Sequence, residues 1–152
     1  MTADLALFQP DFQNGIIGPA DIMMDGENPL RDDGLYNAIL IALLTDRRAN
    51  DGDVLPHPNN PRGGHFSDVL TNSKIGSRLW LLSRSRLDET TLRLAKQYAE
   101  EALNDQIIEP GMAASIDTQV VARSGRVFIN MDVTKPDGTT ARYSAQWRAM
   151  GL

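Results

Sequence analysis

DDGLYNAILIALLTDRRA, at residues 32–49, decides how the rest of the chain is arranged. From Leu35 to Leu44 only Asn37 is not apolar, and no proline interrupts the run. Its one glycine, Gly34, falls in the first turn. This pattern predicts a helix that is apolar almost all round, and such a helix belongs inside a core. Asp32 or Asp33 is placed to cap its start, and Arg47 and Arg48 stand at the end where the helix dipole favours cations. The run is too short for a membrane span, which takes about 20 apolar residues.

Before this helix, residues 1–30 hold two short apolar pieces, 3–8 and 21–24. Turn signals at Pro10, Asn14-Gly15 and Gly18-Pro19 separate them. Leu5 and Leu7 fit one face of a short strand, and the segment reads as a small N-terminal β arm. After the helix comes the longest irregular stretch, NDGDVLPHPNNPRGGHFSD at 50–68. A loop of that length in a compact domain is usually functional or disordered, so partner contacts are sought there first. Ile75, Leu79 and Leu82 then recur at helical spacing, with Trp80 beside them. Asp88 stands as an N-cap for a longer helix over 89–104, whose inner stripe is Leu92, Ala95, Ala99, Ala102 and Leu103.

Beyond Pro110-Gly111 the period changes from helical to two. Ile116, Thr118 and Val120 alternate with Asp117, Gln119 and Val121; Val127, Ile129, Met131 and Val133 with Phe128, Asn130 and Asp132; and then Ala141, Tyr143, Ala145 and Trp147 with Arg142, Ser144, Gln146 and Arg148. Ser124-Gly125 and Asp137-Gly138 separate the three runs, a hairpin signal. The fold class is therefore α+β: a buried central helix and two further helices packed on a C-terminal three-stranded antiparallel meander, with a small N-terminal β arm. The 152 residues suffice for one domain, divided into the arm (1–30), a helical part (31–105) and the sheet (112–149).

Composition narrows the function. The chain has no Cys, which excludes disulfides, thiolate metal sites and a thiol nucleophile. Fifteen Lys and Arg against 20 Asp and Glu give a net charge of −5, which argues against nucleic acid or an anionic membrane as partner. The opening MTADLALFQPDF has neither a basic segment nor a long apolar core, so no signal peptide is expected. Glu100, Glu101, Asp105 and Glu109 are enough carboxylates to suggest glycoside hydrolysis, but Glu100 and Glu101 are helix neighbours that diverge, and nothing sets them across a cleft. His57 and His65 flank a Gly- and Pro-rich piece without the spacing of a ligand motif, so no metal is assigned. No serine lies in a G-x-S-x-G elbow, and Arg62-Gly63-Gly64 lacks the phosphate-loop pattern. Arg78, Arg84 and Arg86 fit a protein carboxylate as partner. The chain is expected not to be an enzyme and to need no cofactor.

Taken in order, the motifs are D-G-L-x-x-A-x-x-x-x-L-x-T-D-R-R-A at 33–49, R-G at Arg62-Gly63, G-S-R-L-W-L-L at 76–82, A-E-E-A-L at 99–103, and then the meander. Over nearly its whole length the chain resembles the small baseplate protein of Mu-type contractile-tailed phages and prophages. More distantly it resembles the baseplate-wedge, sheath-initiator proteins of contractile injection machines. Those carry E-P-R between the last helix and the sheet; Glu109-Pro110 stands there, with Gly111 in place of the Arg. The resemblance implies a structural role in the tail baseplate of a virion assembled in a bacterial cytoplasm. It implies other wedge proteins, the tail tube or hub, and the sheath protein as partners.

Under that reading the partner-contact residues are Asp46, Arg47, Arg48, Arg62, His65, Phe66, Arg78, Glu109, Pro110, Val127, Ile129 and Tyr143. Arg47 or Arg48 is placed near Glu109-Pro110, supplying the cation that Gly111 cannot. The strand at 127–133 or that at 141–147 is the expected edge for pairing with a neighbour. Arg47→Ala and Glu109→Ala are then expected to weaken assembly and spare folding. The alternative is a peptidoglycan-cleaving, lysozyme-like tail enzyme using Glu100, Glu101 or Glu109.

Overall fold

The computed structural model describes residues 34–59, 61–66, 68–71 and 74–147, together with short strands within 4–32. Those strands are β1 (Asp4–Leu5), β2 (Leu7–Phe8), β3 (Asp21–Ile22), β4 (Met24–Asp25), β5 (Asn28–Pro29) and β6 (Arg31–Asp32). They pair antiparallel as β1 with β6, β2 with β3, and β4 with β5. The face expected of Leu5 and Leu7 and the turns at 9–19 lie outside the described residues.

Helix α1 spans Leu35–Leu44, and Leu35, Ile39, Leu40, Ala42 and Leu43 are buried in it. Its ends differ from expectation. The N-cap is Gly34, with no side-chain cap; Asp32 belongs to β6. Thr45 turns to an extended conformation, so Arg47 and Arg48 lie beyond the last turn and no basic side chain meets the dipole there. Nor is every apolar side chain covered, since Ile41 is 49% exposed.

Helix α2 (Asp68–Thr71) ends what reads in sequence as one long loop. The helix expected over 75–82 is only a 3₁₀ turn, Leu79–Leu82. Gly76 at φ 96° and a parallel backbone bridge between Ser77 and Asp46 hold the preceding residues out of helical geometry. Helix α3 (Glu89–Leu103) buries Thr91, Ala95, Ala99, Ala102 and Leu103, and its small alanines lie flat on the sheet. A π-helical turn, Asn104–Ile108, continues it and buries Ile107.

Asp88 caps α3, its Oδ1 accepting the Thr91 N–H at 2.8 Å. Bonds from the Thr91 backbone and side chain hold the Asp88 carboxyl below its ordinary 3.8. A group depressed in the folded state stabilises fully above its unfolded value and loses that contribution as pH falls through its folded value. Asp88→Ala should therefore lower the urea midpoint at neutral pH. The gap from the parent should close well below pH 3.8, as urea titrations at the two pH values would register.

The sheet is β7 (Ser115–Arg123), β8 (Arg126–Thr134) and β9 (Thr140–Trp147), antiparallel in the order β7-β8-β9. Arg123 pairs with Arg126, leaving a two-residue hairpin loop in which Ser124 and Gly125 both have positive φ, 50° and 76°. That is the geometry whose twist suits a tight hairpin. At the other turn Lys135 N–H donates to Thr139 O at 2.8 Å, and the Asp137 carboxylate accepts from the Thr139 N–H at 2.9 Å. Alternation holds as the sequence predicts: Thr118, Val127, Ile129, Met131, Val133 and Ala145 face inward and are buried. Tyr36 of α1 stacks on Tyr143 of β9, ring centroids 5.4 Å apart. The chain is thus α+β, with α1 and α3 covering one face of a three-stranded antiparallel sheet.

Candidate functional site

Three motifs far apart in sequence meet just past the C-terminus of α1. Residues 45–49 run extended between two neighbours. On one side Ser77 N–H donates to Thr45 O and Arg47 N–H to Ser77 O, both at 2.9 Å. On the other, Gly64 N–H donates to Asp46 O at 3.1 Å and Ala49 N–H to Arg62 O at 2.6 Å. The T-D-R-R-A, R-G and G-S-R-L-W-L-L segments are therefore one backbone-paired junction. Side chains fasten it further. Ser77 Oγ donates to Leu43 O at 2.6 Å, and Trp80 Nε1 donates to Arg47 O at 2.7 Å. Gln106, from the π-helical turn, accepts the Gly76 N–H and returns a bond to Gly76 O, each at 2.8 Å.

Charge is concentrated beside this junction. Arg47 is 7% exposed; its Nη2 reaches Asp105 at 2.6 Å and its Nη1 lies 3.6 Å from Glu101. Arg78 takes Asp53 at 2.9 Å on one side and Glu101 at 2.5 Å on the other, with its guanidinium 4.5 Å from the Tyr98 ring centroid. Burial pushes the Arg78 pKa down, but bonds to Glu101 and Asp53 outweigh it and leave it raised. Asp46 is more open, yet crowded enough that desolvation raises its carboxyl.

The family of phage protein GP46 matches residues 35–140, from the start of α1 into β9. The chain belongs to that family. Baseplate protein gp46 of Escherichia phage Mu is 39% identical over 127 residues, 83% of this chain and 87% of that protein. The Mu-like prophage FluMu protein gp46 of Haemophilus influenzae is 33% identical over 135 residues, 86% of this chain and 91% of that protein. The matched span of the GP46 family contains the whole junction and its ion pairs.

Against this geometry the expected contact residues separate into two groups. Arg47 and Arg78 are engaged inside the chain, so the carboxylates they meet are its own. Arg47 does not serve Glu109: its guanidinium is taken by Asp105 and Glu101, and among the described residues no ion pair joins Glu109 to Arg47 or Arg48. Glu109 and Pro110 stand exposed on the turn after the π-helix. Val127 and Ile129 are wholly buried, and β8 has a strand on each side. The strand at 127–133 is therefore the central one; among the described residues the outer strands of the sheet are β7 and β9, the latter carrying Tyr143. Arg62 donates to Asn50 O at 2.9 Å and faces Asp51 at 3.7 Å. The Arg48 backbone adjoins Gly64, and His65 and Phe66 follow it, their ring centroids 4.4 Å apart.

Sequence reasoning missed Asp53, Tyr98, Asp105 and Gln106 as members of this network. Partners that lie tens of residues apart leave no local spacing to detect. Of the carboxylates considered for catalysis, Glu101 is shared by two arginines and Glu100 pairs with Lys96 at 3.6 Å. Among the described residues no helix is long and apolar enough to cross a membrane, and no three His, Asp or Glu side chains group as metal ligands.

Arg47→Ala now carries a different expectation from the one its sequence position suggests. Removing the guanidinium leaves Asp105 without its partner and Glu101 with Arg78 alone, at a cost of about 1–3 kcal/mol, moderated because both carboxylates are partly solvated. Arg48→Ala, on an exposed side chain, should stay within about 0.5 kcal/mol. Urea unfolding of the two variants side by side measures the difference.

Proposed function

We propose that this chain is a non-enzymatic structural component of a contractile phage-tail baseplate. It sits in the virion, holds wedge subunits around the central tube, and gives the sheath a strand edge on which to start. The observation that carries the reading is membership of the GP46 family, with a 39% identical relative named as the baseplate protein of Escherichia phage Mu. Two features of the fold support it. Strands β7 and β9 are the outer strands of the sheet, each with one side on which no further strand pairs among the described residues and where a neighbour's strand can add. The domain beneath them is braced by backbone pairing and ion pairs, so the edges stand on a fixed base.

Cryo-electron microscopy of assembled tails tests the reading. Density for this chain in the baseplate, with a foreign strand against β7 or β9, is the expected result; absence of the chain from the baseplate would refute it. A peptidoglycan zymogram of the isolated protein is expected to stay blank. A cleared band that disappears with Glu100→Gln, Glu101→Gln or Glu109→Gln, in a protein that remains folded, would establish an enzyme instead.

A further inference from the structure

Five large apolar side chains are exposed among the described residues, and three of them lie on one segment: Val54 at 87%, Phe66 at 77% and Leu70 at 79%. A single exposed leucine is ordinary. Here the segment carrying them is held so that they cannot fold back onto the core. Arg62 and Gly64 are backbone-paired to Ala49 and Asp46. The Asp68 carboxylate accepts the His65 N–H at 3.0 Å and the Ile75 N–H at 3.3 Å, closing the piece that bears Phe66 and Leu70. At its upstream end Asp53 is gripped by Arg78. The His65 ring lies against Phe66 on one side only, leaving most of the phenyl in water. Apolar surface fixed in water costs free energy in proportion to its area, and a fixed anchor loses little freedom when it docks.

The charge beside these anchors identifies what they meet. Arg48 is exposed and makes no ion pair among the described residues. It adjoins the anchor backbone so closely that a Cβ on Gly64 would stand 3.1 Å from the Arg48 Cβ. An exposed arginine against the backbone two residues before an exposed phenylalanine suits a carboxylate at the rim of an apolar pocket. An anionic lipid surface fits worse, because Asp46, Asp51 and Asp68 lie on the same stretch and the whole chain carries −5.

We propose that the 62–71 segment is a docking anchor: Phe66 and Leu70 enter an apolar pocket on a neighbouring baseplate protein, and Arg48 pairs with a carboxylate at its rim. This rests on the baseplate reading above and adds a second contact, independent of the strand edges.

Hydroxyl-radical footprinting, read by mass spectrometry, tests it on the isolated chain and on purified contractile tails containing it. Phe66 and Leu70 should oxidise readily in the free chain and several-fold more slowly in the tails. In cells supplying both parent and variant chains, Phe66→Ser and Arg48→Glu should each be depleted from tails by about tenfold, the weight of one interfacial anchor. Their urea midpoints should match the parent's, which separates lost docking from lost folding. If the chain is present in tails but Phe66 and Leu70 oxidise as fast as when free, the anchor is overturned and the baseplate reading stands. A chain absent from tails overturns both. Co-sedimentation of the isolated chain with phosphatidylglycerol vesicles, abolished by Phe66→Ser, would replace the protein pocket with a lipid surface.

Discussion

Gly76→Ala is expected to destabilise the protein by roughly 2–6 kcal/mol, from about 1–3 of backbone strain and a similar amount of overpacking. Gly76 has φ 96°, which side-chain-bearing residues rarely adopt. A Cβ there would run into the Thr45 carbonyl group and stand 3.0 Å from Arg47 N, and these are backbone atoms that cannot swing aside. To admit a methyl, the 45–47 strand must part from the 76–77 strand. That parting breaks the paired bonds of Ser77 with Thr45 and Arg47, and it loosens the two bonds from Gln106. Arg47 is then carried away from Asp105. Native domains are stable by only about 5–15 kcal/mol, so the loss is a large share of the total. Urea unfolding with tryptophan fluorescence reads it directly, because Trp80 is bonded to the same junction. Gly111→Ala is the control. Gly111 also has positive φ, 82°, but a Cβ there would have nothing within 4 Å, so it should show strain alone. Equal losses in the two variants would mean that the close approach at Gly76 contributes nothing.

The parts of this fold that can be read from sequence are those built from side-chain periodicity. The inner stripe of α3, the Asp88 cap and the alternation of Val127, Ile129, Met131 and Val133 follow from spacing, and the structure carries each of them. Ser124-Gly125 sets the first hairpin by itself. The junction is different. It is made of main-chain bonds between residues 46 and 64, 45 and 77, and 49 and 62, and a backbone bond has no side-chain signature. The same holds for the ion pairs. Arg47 and Arg78 look like free surface cations when only their neighbours in sequence are considered, because Asp105 and Glu101 lie tens of residues away. Ile75, Leu79 and Leu82 fit a helix by spacing, but the chain between them is drawn into the pairing at Ser77. One correction was available from topology. Three strands joined by two tight hairpins place the middle strand in the centre, so 127–133 could never have been an edge.

Leu43→Ala should cost about 2–5 kcal/mol, from lost burial and the cavity left behind. Leu43 is 2% exposed and belongs to the cluster that joins α1, α3 and the sheet. Its carbonyl also accepts the Ser77 hydroxyl at 2.6 Å, which ties the helix end to the junction. The substitution leaves that backbone acceptor in place, so the predicted loss is one of packing. Ile41→Ala, two residues earlier on the same helix, removes a comparable side chain that is 49% exposed and should cost much less. At about 2–4 °C per kcal/mol for a chain of this size, the Leu43 variant should melt roughly 4–20 °C below the parent. The slope of its urea transition should stay unchanged, since the surface exposed on unfolding is nearly the same. The contrast with Arg48→Glu then separates scaffold from contact. Leu43→Ala should lower stability, and with it the amount of folded chain available to the tail. Arg48→Glu should leave the unfolding transition where it is and act on assembly alone. A Leu43→Ala transition that coincides with that of Ile41→Ala would show that α1 is not the packed centre of the domain, and the junction built on its C-terminal end would lose its support.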